Sequence, residues 1–306
     1  MLLLVEQLLN GLQLGVFLFL VSAGLTLIFG IMGVINLAHG SLYMIGAYTG
    51  ATVTQASGSY LLGFLAAACA AGLSGVVMEL LLMRRLYARD HLDQVLVTFG
   101  LIVFVNEAVT MIWGRTPLFM DIPQALSGSV EILPGVPYPV YRLAIILAGI
   151  VAAVGLWLLI ARTRIGMLIR AGSTNREMVS GLGVNISRLY TLLFAAGAVL
   201  AGVAGAFAGP QVSVQVGMGE SILILAFVVV VIGGIGSVRG AFVGALLVGL
   251  VDTLGRAFLH DLLGLFLPPA EAAGMGAALS SMGIYVVMAL VLIVRPRGLF
   301  SVRPAS

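Results

Sequence analysis

Nine times along this chain, apolar residues continue for about the length of a membrane crossing. The runs fall at about 8–29, 33–54, 60–82, 95–113, 142–161, 189–209, 221–236, 240–258 and 280–294. A helix needs roughly 20 mostly apolar residues to cross a hydrocarbon core of ~30 Å. Only 9% of the residues are charged, against roughly 25% in soluble globular proteins, so a soluble core of this size would lack a surface. The expectation is an all-α polytopic membrane protein with about 8–10 hydrophobic segments, nine favoured, forming one transmembrane domain over residues 1–306. Residues 1–15 carry Glu6 and Gln7 where a signal peptide would be basic, so they read as the start of the first membrane helix.

The basic residues orient the runs. Arg84, Arg85 and Arg89 follow the third run; Arg162, Arg164, Arg170, Arg176 and Arg188 follow the fifth; Arg239 follows the seventh; Arg295, Arg297 and Arg303 follow the ninth. Nine alternating spans put all twelve on one side and leave Arg115, Arg142 and Arg256 for the other. The arginine-rich side is then cytoplasmic, with the N-terminus outside and the C-terminus inside. Arginines spaced between apolar runs speak for topology and not for nucleic acid.

Lysine does not occur, and all fifteen basic residues are arginine. A P-loop needs a lysine to reach its phosphates, so ATP is not hydrolysed at such a site here. The single cysteine, Cys69, lies in an apolar run and reads as a small buried hydrophobe. No metalloprotease or nucleophile-elbow motif occurs, and Gly233-Gly234-Ile235-Gly236 lacks the βαβ setting of a dinucleotide site. No catalytic residue, cofactor or metal site is expected.

Ionisable and polar residues inside spans are functional candidates by default. Asn36, His39 and Tyr43 cluster at the start of the second run, which is expected to be broken or re-entrant there. Asn106 and Glu107 lie near mid-depth in the fourth run; Glu107 suits either a proton-linked site or a carboxyl that ties helices together. Glu79 is placed to pair with the arginines that follow it, and Asp252 and Arg256 share a helix face four residues apart. Small residues recur every four positions at Gly197, Ala201, Gly205 and Gly209, and again at Gly236, Gly240 and Gly244, a spacing that permits close helix crossings.

Two loops are long enough for structure. The outer one, 114–141, holds five prolines and cannot form a long helix. The inner one, 162–188, reads RTRIGMLIRAGSTNREMVSGLGVNISR. Ser173 or Thr174 is expected to cap a helix of about two turns, with Glu177 at capping-box spacing from Thr174 and with Gly181 and Gly183 as its stop.

The stretch GLTLIFGIMGVINLAHGSLYMIGAY, the inner loop with the run after it, and GGIGSVRGAFVGALLVG resemble, in order, three blocks of the branched-chain amino acid ABC importer permeases of the LivH type. That resemblance implies half of a translocation path in a bacterial or archaeal cytoplasmic membrane. It implies a second related permease subunit, two cytoplasmic ATP-binding subunits and an extracytoplasmic substrate-binding protein that meets the outer loops near 114–141 and 260–280. The short inner helix then takes the place of the coupling helix, with Thr174, Asn175, Arg176, Glu177, Met178, Ser180, Gly181, Leu182 and Gly183 contacting the ATPase. Asn36, His39, Tyr43, Asn106 and Glu107 become candidates for the path. Related permeases carry urea or short amides, so the cargo stays open at this level. An ion-coupled secondary transporter using Glu107 is the alternative from another class.

Overall fold

A computed structural model describes residues 2–87 and 89–300; Arg303 lies outside them. The helices are α1 (Leu2–Met32), α2 (His39–Ser57), α3 (Tyr60–Leu86), α4 (His91–Trp113), α5 (Val140–Arg162), α6 (Arg164–Thr174), α7 (Arg176–Gly181), α8 (Ile186–Ala208), α9 (Met218–Gly233), α10 (Val238–Leu263) and α11 (Pro269–Val294). Each apolar run lies mostly on one of them. Among the described residues, seven helices are long and apolar enough to cross a membrane: α1, α3, α4, α5, α8, α10 and the Gly274–Val294 part of α11. The chain is therefore an all-helical polytopic membrane protein. The helix α9 is shorter, at 16 residues, and α2 is the most polar of the nine long helices.

Burial follows composition. Every residue of α1 from Gly15 to Ile28 is buried, as expected of a helix that is apolar all round and sits inside a bundle. It lies against α10 along most of its length, and against α8, α9 and α5. The helix α2 is enclosed by α3, α8 and α9. By contrast, α4 leans chiefly on α2, and α11 on α10 and α9. The outer faces of α4, α5 and α11 are apolar and exposed, as lipid or another subunit requires. Cys69 is on the outward face of α3 and not buried, a correction to the expectation from its run. Apolar neighbours do not distinguish a lipid-facing position from a core one.

The small-residue stripes become crossings. Gly197 meets Gly24, Gly202 meets Gly46, and Gly205 meets the backbone of Tyr43 and Ala47. A Cβ on Gly46 would stand 2.4 Å from the Cα of Gly202. Lipid tails are as apolar as the helices, so backbone proximity of this kind, rather than a hydrophobic force, holds them together.

The second run is broken, as its polar residues lead one to expect. The helix α1 ends where Gly33 takes φ +67°, with its N–H on Phe29. A glycine adopts this left-handed conformation without the steric cost of a Cβ. Residues 34–38 are not helical, yet Val34, Asn36 and Ala38 are buried. Irregular backbone at membrane depth persists only where protein covers it. Gln94 supplies part of the cover: its Oε1 accepts from the N–H of Ile35 at 3.1 Å, and its Nε2 donates to the carbonyls of Leu86 and Arg89.

In the loop between α4 and α5, residues 129–139 form a two-stranded hairpin, β1 (Ser129–Leu133) with β2 (Val136–Pro139). The prolines had announced turns and not this ladder. Residues 260–280 are not a long loop: α10 runs to Leu263 and α11 starts at Pro269. The apolar runs understated both helices because polar residues near their ends, such as His260, Asp261 and Glu271, interrupt hydropathy without interrupting the helix.

On the arginine-rich side, Glu79 opens a π-helical turn, Glu79–Met83, within α3. Its carboxylate is fully buried and accepts from Arg84 Nε at 3.0 Å, from Tyr87 Oη at 2.8 Å and from Thr191 Oγ1 at 2.8 Å. Burial, together with the hydrogen bond to Glu79, holds the Tyr87 phenol above its usual pKa. Asp252 and Arg256 pair at 2.9 Å, as their spacing predicts.

Candidate functional site

Two interrupted segments bring helix starts together inside the bundle. Residues 33–38 turn back beside α1, so that His39 at the start of α2 faces Val21 and Gly24. Gly24 is eight residues short of the end of α1, ~12 Å at ~1.5 Å per residue. Residues 209–217 do the same after α8. Their Val214 pairs with Leu118 of the loop between α4 and α5 through two 2.9 Å bonds, and Gln211 accepts from Gln13 of α1 at 3.1 Å. The first turns of α2 and α9 then cross, Gly40 on Gly219. A Cβ on Gly40 would be 2.2 Å from the Gly219 carbonyl oxygen, and one on Gly219 would be 2.3 Å from that of Gly40.

Polar side chains gather around this crossing. His39 is fully buried, its Nε2 3.2 Å from the Val21 carbonyl, and its Nδ1 has no partner among the described residues. Asn36 is also fully buried, and neither its amide nitrogen nor its oxygen has a partner among the described residues. Tyr43, one turn further along α2, stacks edge-on against Phe17 with ring centres 6.1 Å apart. Asn106 on α4 donates to Glu220 Oε1 in the first turn of α9 at 2.6 Å, and Glu220 Oε2 has no partner among the described residues. An acid in a first turn is favoured by the helix dipole. Asn36, His39 and Tyr43 are thus neighbours on one segment, and Asn106 joins α4 to α9. Glu107 is separate: it is exposed on the outward face of α4 beside Val103 and Phe104. Glu220 did not stand out in the sequence because it precedes its apolar run and reads as an ordinary helix-start acid.

The arginine-rich loop holds two helices where one was expected. Thr163 Oγ1 accepts from Gly166 N at 3.0 Å and caps α6. The helix α7 follows after a single extended residue, Asn175, at φ −151° and ψ 95°. Asn175 Oδ1 accepts from Met178 N at 2.9 Å, so the cap is Asn175 and not Ser173 or Thr174, which belong to the last turn of α6. A cap needs non-helical backbone, and only Asn175 has it here. The side chains of Ser173, Thr174 and Arg176 lie outside the described residues. The helix α7 ends at Gly181, as expected, and Gly183 turns the chain away at φ +85°. Val179 is buried beneath it, while Glu177, Met178, Ser180 and Leu182 are exposed. Met178 in α7 is 67% exposed and Leu182, the residue after the helix, is 79% exposed.

Among the described residues, no three His, Cys, Asp or Glu side chains come together as a metal site. Residues 7–294 match the family described as the permease component of the branched-chain amino acid transport system. The chain is 32% identical over 270 residues to the high-affinity branched-chain amino acid transport system permease protein BraD of Pseudomonas aeruginosa, covering 84% of this chain and 87% of the relative. It is 29% identical over 280 residues to the corresponding LivH protein of Escherichia coli, covering 83% and 86%. A probable LivH of Methanocaldococcus jannaschii is 25% identical over 300 residues, covering 93% and 89%. No solved structure matches the chain.

Proposed function

This chain belongs to the family of branched-chain amino acid transport system permease components, and from that premise we propose how its parts serve transport. It is a transport subunit of an ABC system and not an enzyme, and it resides in the membrane with many passes, like its bacterial and archaeal relatives. Residues 1–306 act as one permease unit and form half of a path completed by a second, related permease subunit. Two ATP-binding subunits drive it, and an extracytoplasmic binding protein delivers the amino acid. The N-terminus is outside and the C-terminus inside, because that orientation places the arginine-rich ends in the cytoplasm.

The path runs past the α2–α9 crossing. One observation carries this reading: two helix starts meet within the bundle, and beside them Asn36, His39 and Glu220 hold polar atoms with no partner among the described residues. Interrupted helices whose positive ends face the path recur in transporters of small anionic and zwitterionic solutes. The helix starts suit the α-carboxylate of an amino acid, and the Glu220 carboxylate suits its ammonium. Tyr43 and Asn106 border the same region, and the outward face of α4 with Glu107 meets the second permease. The helix α7 with its flanks, Thr174 to Gly183, docks into the ATPase.

Reconstitution tests the whole reading. With ATPase subunits, a second permease and a binding protein, proteoliposomes should take up leucine, isoleucine or valine only when ATP is supplied. Uptake by this chain alone under an ion gradient would overturn it. Reagent access to single cysteines, introduced at residues 87 and 265 in a Cys69→Ser background, tests orientation: residue 87 should label only from the cytoplasmic side.

A further inference from the structure

A cavity of about 1360 Å³ opens between α1, α5, α6 and the start of α10, away from the α2–α9 crossing. Its volume exceeds the ~300–1,000 Å³ of ordinary small-molecule pockets. The walls are apolar: Phe19 and Leu27 from α1, Ile150 and Trp157 from α5, and Phe242 from α10. Arg170 and Arg239 stand at one end only, with Ser237, which caps α10 by accepting from Gly240 N at 3.0 Å. The exposed lining on α5 extends from Ile150 to Ala161, ~16 Å at ~1.5 Å per residue. One leaflet of hydrocarbon is ~15 Å deep, half of the ~30 Å core. Trp157 is 40% exposed into this space, a residue type at home near the level of the headgroups.

We propose that this cleft is a binding site for one anionic phospholipid, its acyl chains along α5 and its phosphate between Arg170 and Arg239. Three features select that occupant. The length matches one leaflet, the walls are apolar, and the charged side chains among the described lining residues, Arg170 and Arg239, are positive. The start of α10 adds the positive end of a helix dipole at the same level. Basic pockets between membrane helices hold anionic headgroups by the same attraction. An amino acid on its way through would not need a leaflet-long apolar wall.

The chain carries its own reporter. It has two tryptophans, so Trp113→Phe leaves Trp157 alone. The full chain with that substitution is placed in phosphatidylcholine vesicles containing a small fraction of acyl-brominated phosphatidylglycerol, or of acyl-brominated phosphatidylcholine. Selective binding predicts roughly fivefold stronger quenching of Trp157 at low mole fraction by the anionic lipid, the scale of one arginine's attraction to an anionic surface. Arg170→Gln with Arg239→Gln should bring the two lipids to equal quenching, and Arg239→Gln alone should lower the preference. Equal quenching in the parent chain would overturn the proposal. So would no quenching by either lipid, which means that protein fills the cleft. Loss of the preference on adding inorganic phosphate would reassign the site to a free anion and overturn it as well.

Discussion

Asn106 on α4 donates its side-chain amide to the Glu220 carboxylate on α9 at 2.6 Å. It ties an otherwise loosely held helix to the first turn of the helix that crosses α2. A hydrogen bond to a charged group contributes about 1.5–3 kcal/mol. Glu220→Ala or Asn106→Ala should lower ATP-driven uptake at least about tenfold, since ~1.4 kcal/mol is a factor of ten, while the permease pair still co-purifies. Glu220→Gln should fold as well as the parent yet transport poorly. Full uptake by Glu220→Gln would remove the carboxylate from the path.

Gly40 and Gly219 leave no room for a Cβ on either helix. Overpacking typically costs about 1–3 kcal/mol, and more where backbone is the obstacle. Gly40→Val or Gly219→Val should lower the thermal midpoint of the purified chain by several degrees. Gly100→Val, on open surface of α4 with nothing within 4 Å, serves as the control and should shift it little. Equal shifts would mean that the crossing is not tight.

The Asn175 cap and the exposed face of α7 separate folding from coupling. Asn175→Ala should destabilise the short helix by about 0.5–2 kcal/mol and reduce uptake per ATP hydrolysed, with Asn175→Asp restoring both. Gly181 has nothing within 4 Å of where a Cβ would stand. Gly181→Leu should therefore leave this chain's stability unchanged and still uncouple hydrolysis from uptake. Glu177→Arg should do the same. Normal coupling in both variants would detach α7 from the ATPase.

Glu79 draws on three donors in a fully buried position. Arg84 is 37% exposed, so the loss of its charge is partly screened by water. Arg84→Ala should cost about 1–3 kcal/mol, because a hydrogen bond to a buried charge is lost. Adding Glu79→Gln to Arg84→Ala should recover part of that loss in a double-mutant cycle on thermal unfolding. Strict additivity would show that the pair does not interact.

Hydropathy reported helices faithfully, because a crossing segment cannot hide its apolar length. Each of the nine runs lies mostly on a helix, and the break at the start of the second is announced by Asn36 and His39. What hydropathy missed depends on neutral amides and on neighbours far apart in the chain. Gln94, Gln13 and Gln211 secure the two interrupted segments, yet a glutamine carries no periodicity or charge pattern to mark it. Glu107 drew attention by its depth and turned out to face outward, while Glu220, 114 residues from Asn106, is the acid that Asn106 meets. The inner loop was legible as capped and stopped, but the cap shifted by one residue because α6 continues through Thr174. The helix α6 itself is amphipathic and not apolar, so a search for long apolar runs passes over it.

The glycine contacts have a mechanical consequence. Where Gly46 rests on Gly202 and Gly40 on Gly219, main chain touches main chain with no rotamers between to absorb a displacement. Sliding α2 along either neighbour would drive side chains on flanking turns into that gap. On the proposed path, opening and closing tilts α2, α8 and α9 as a unit, with the give located at the sparsely attached α4. Leverage applied at α7, only four residues before α8 begins, would reach the buried helix starts through that stiff block.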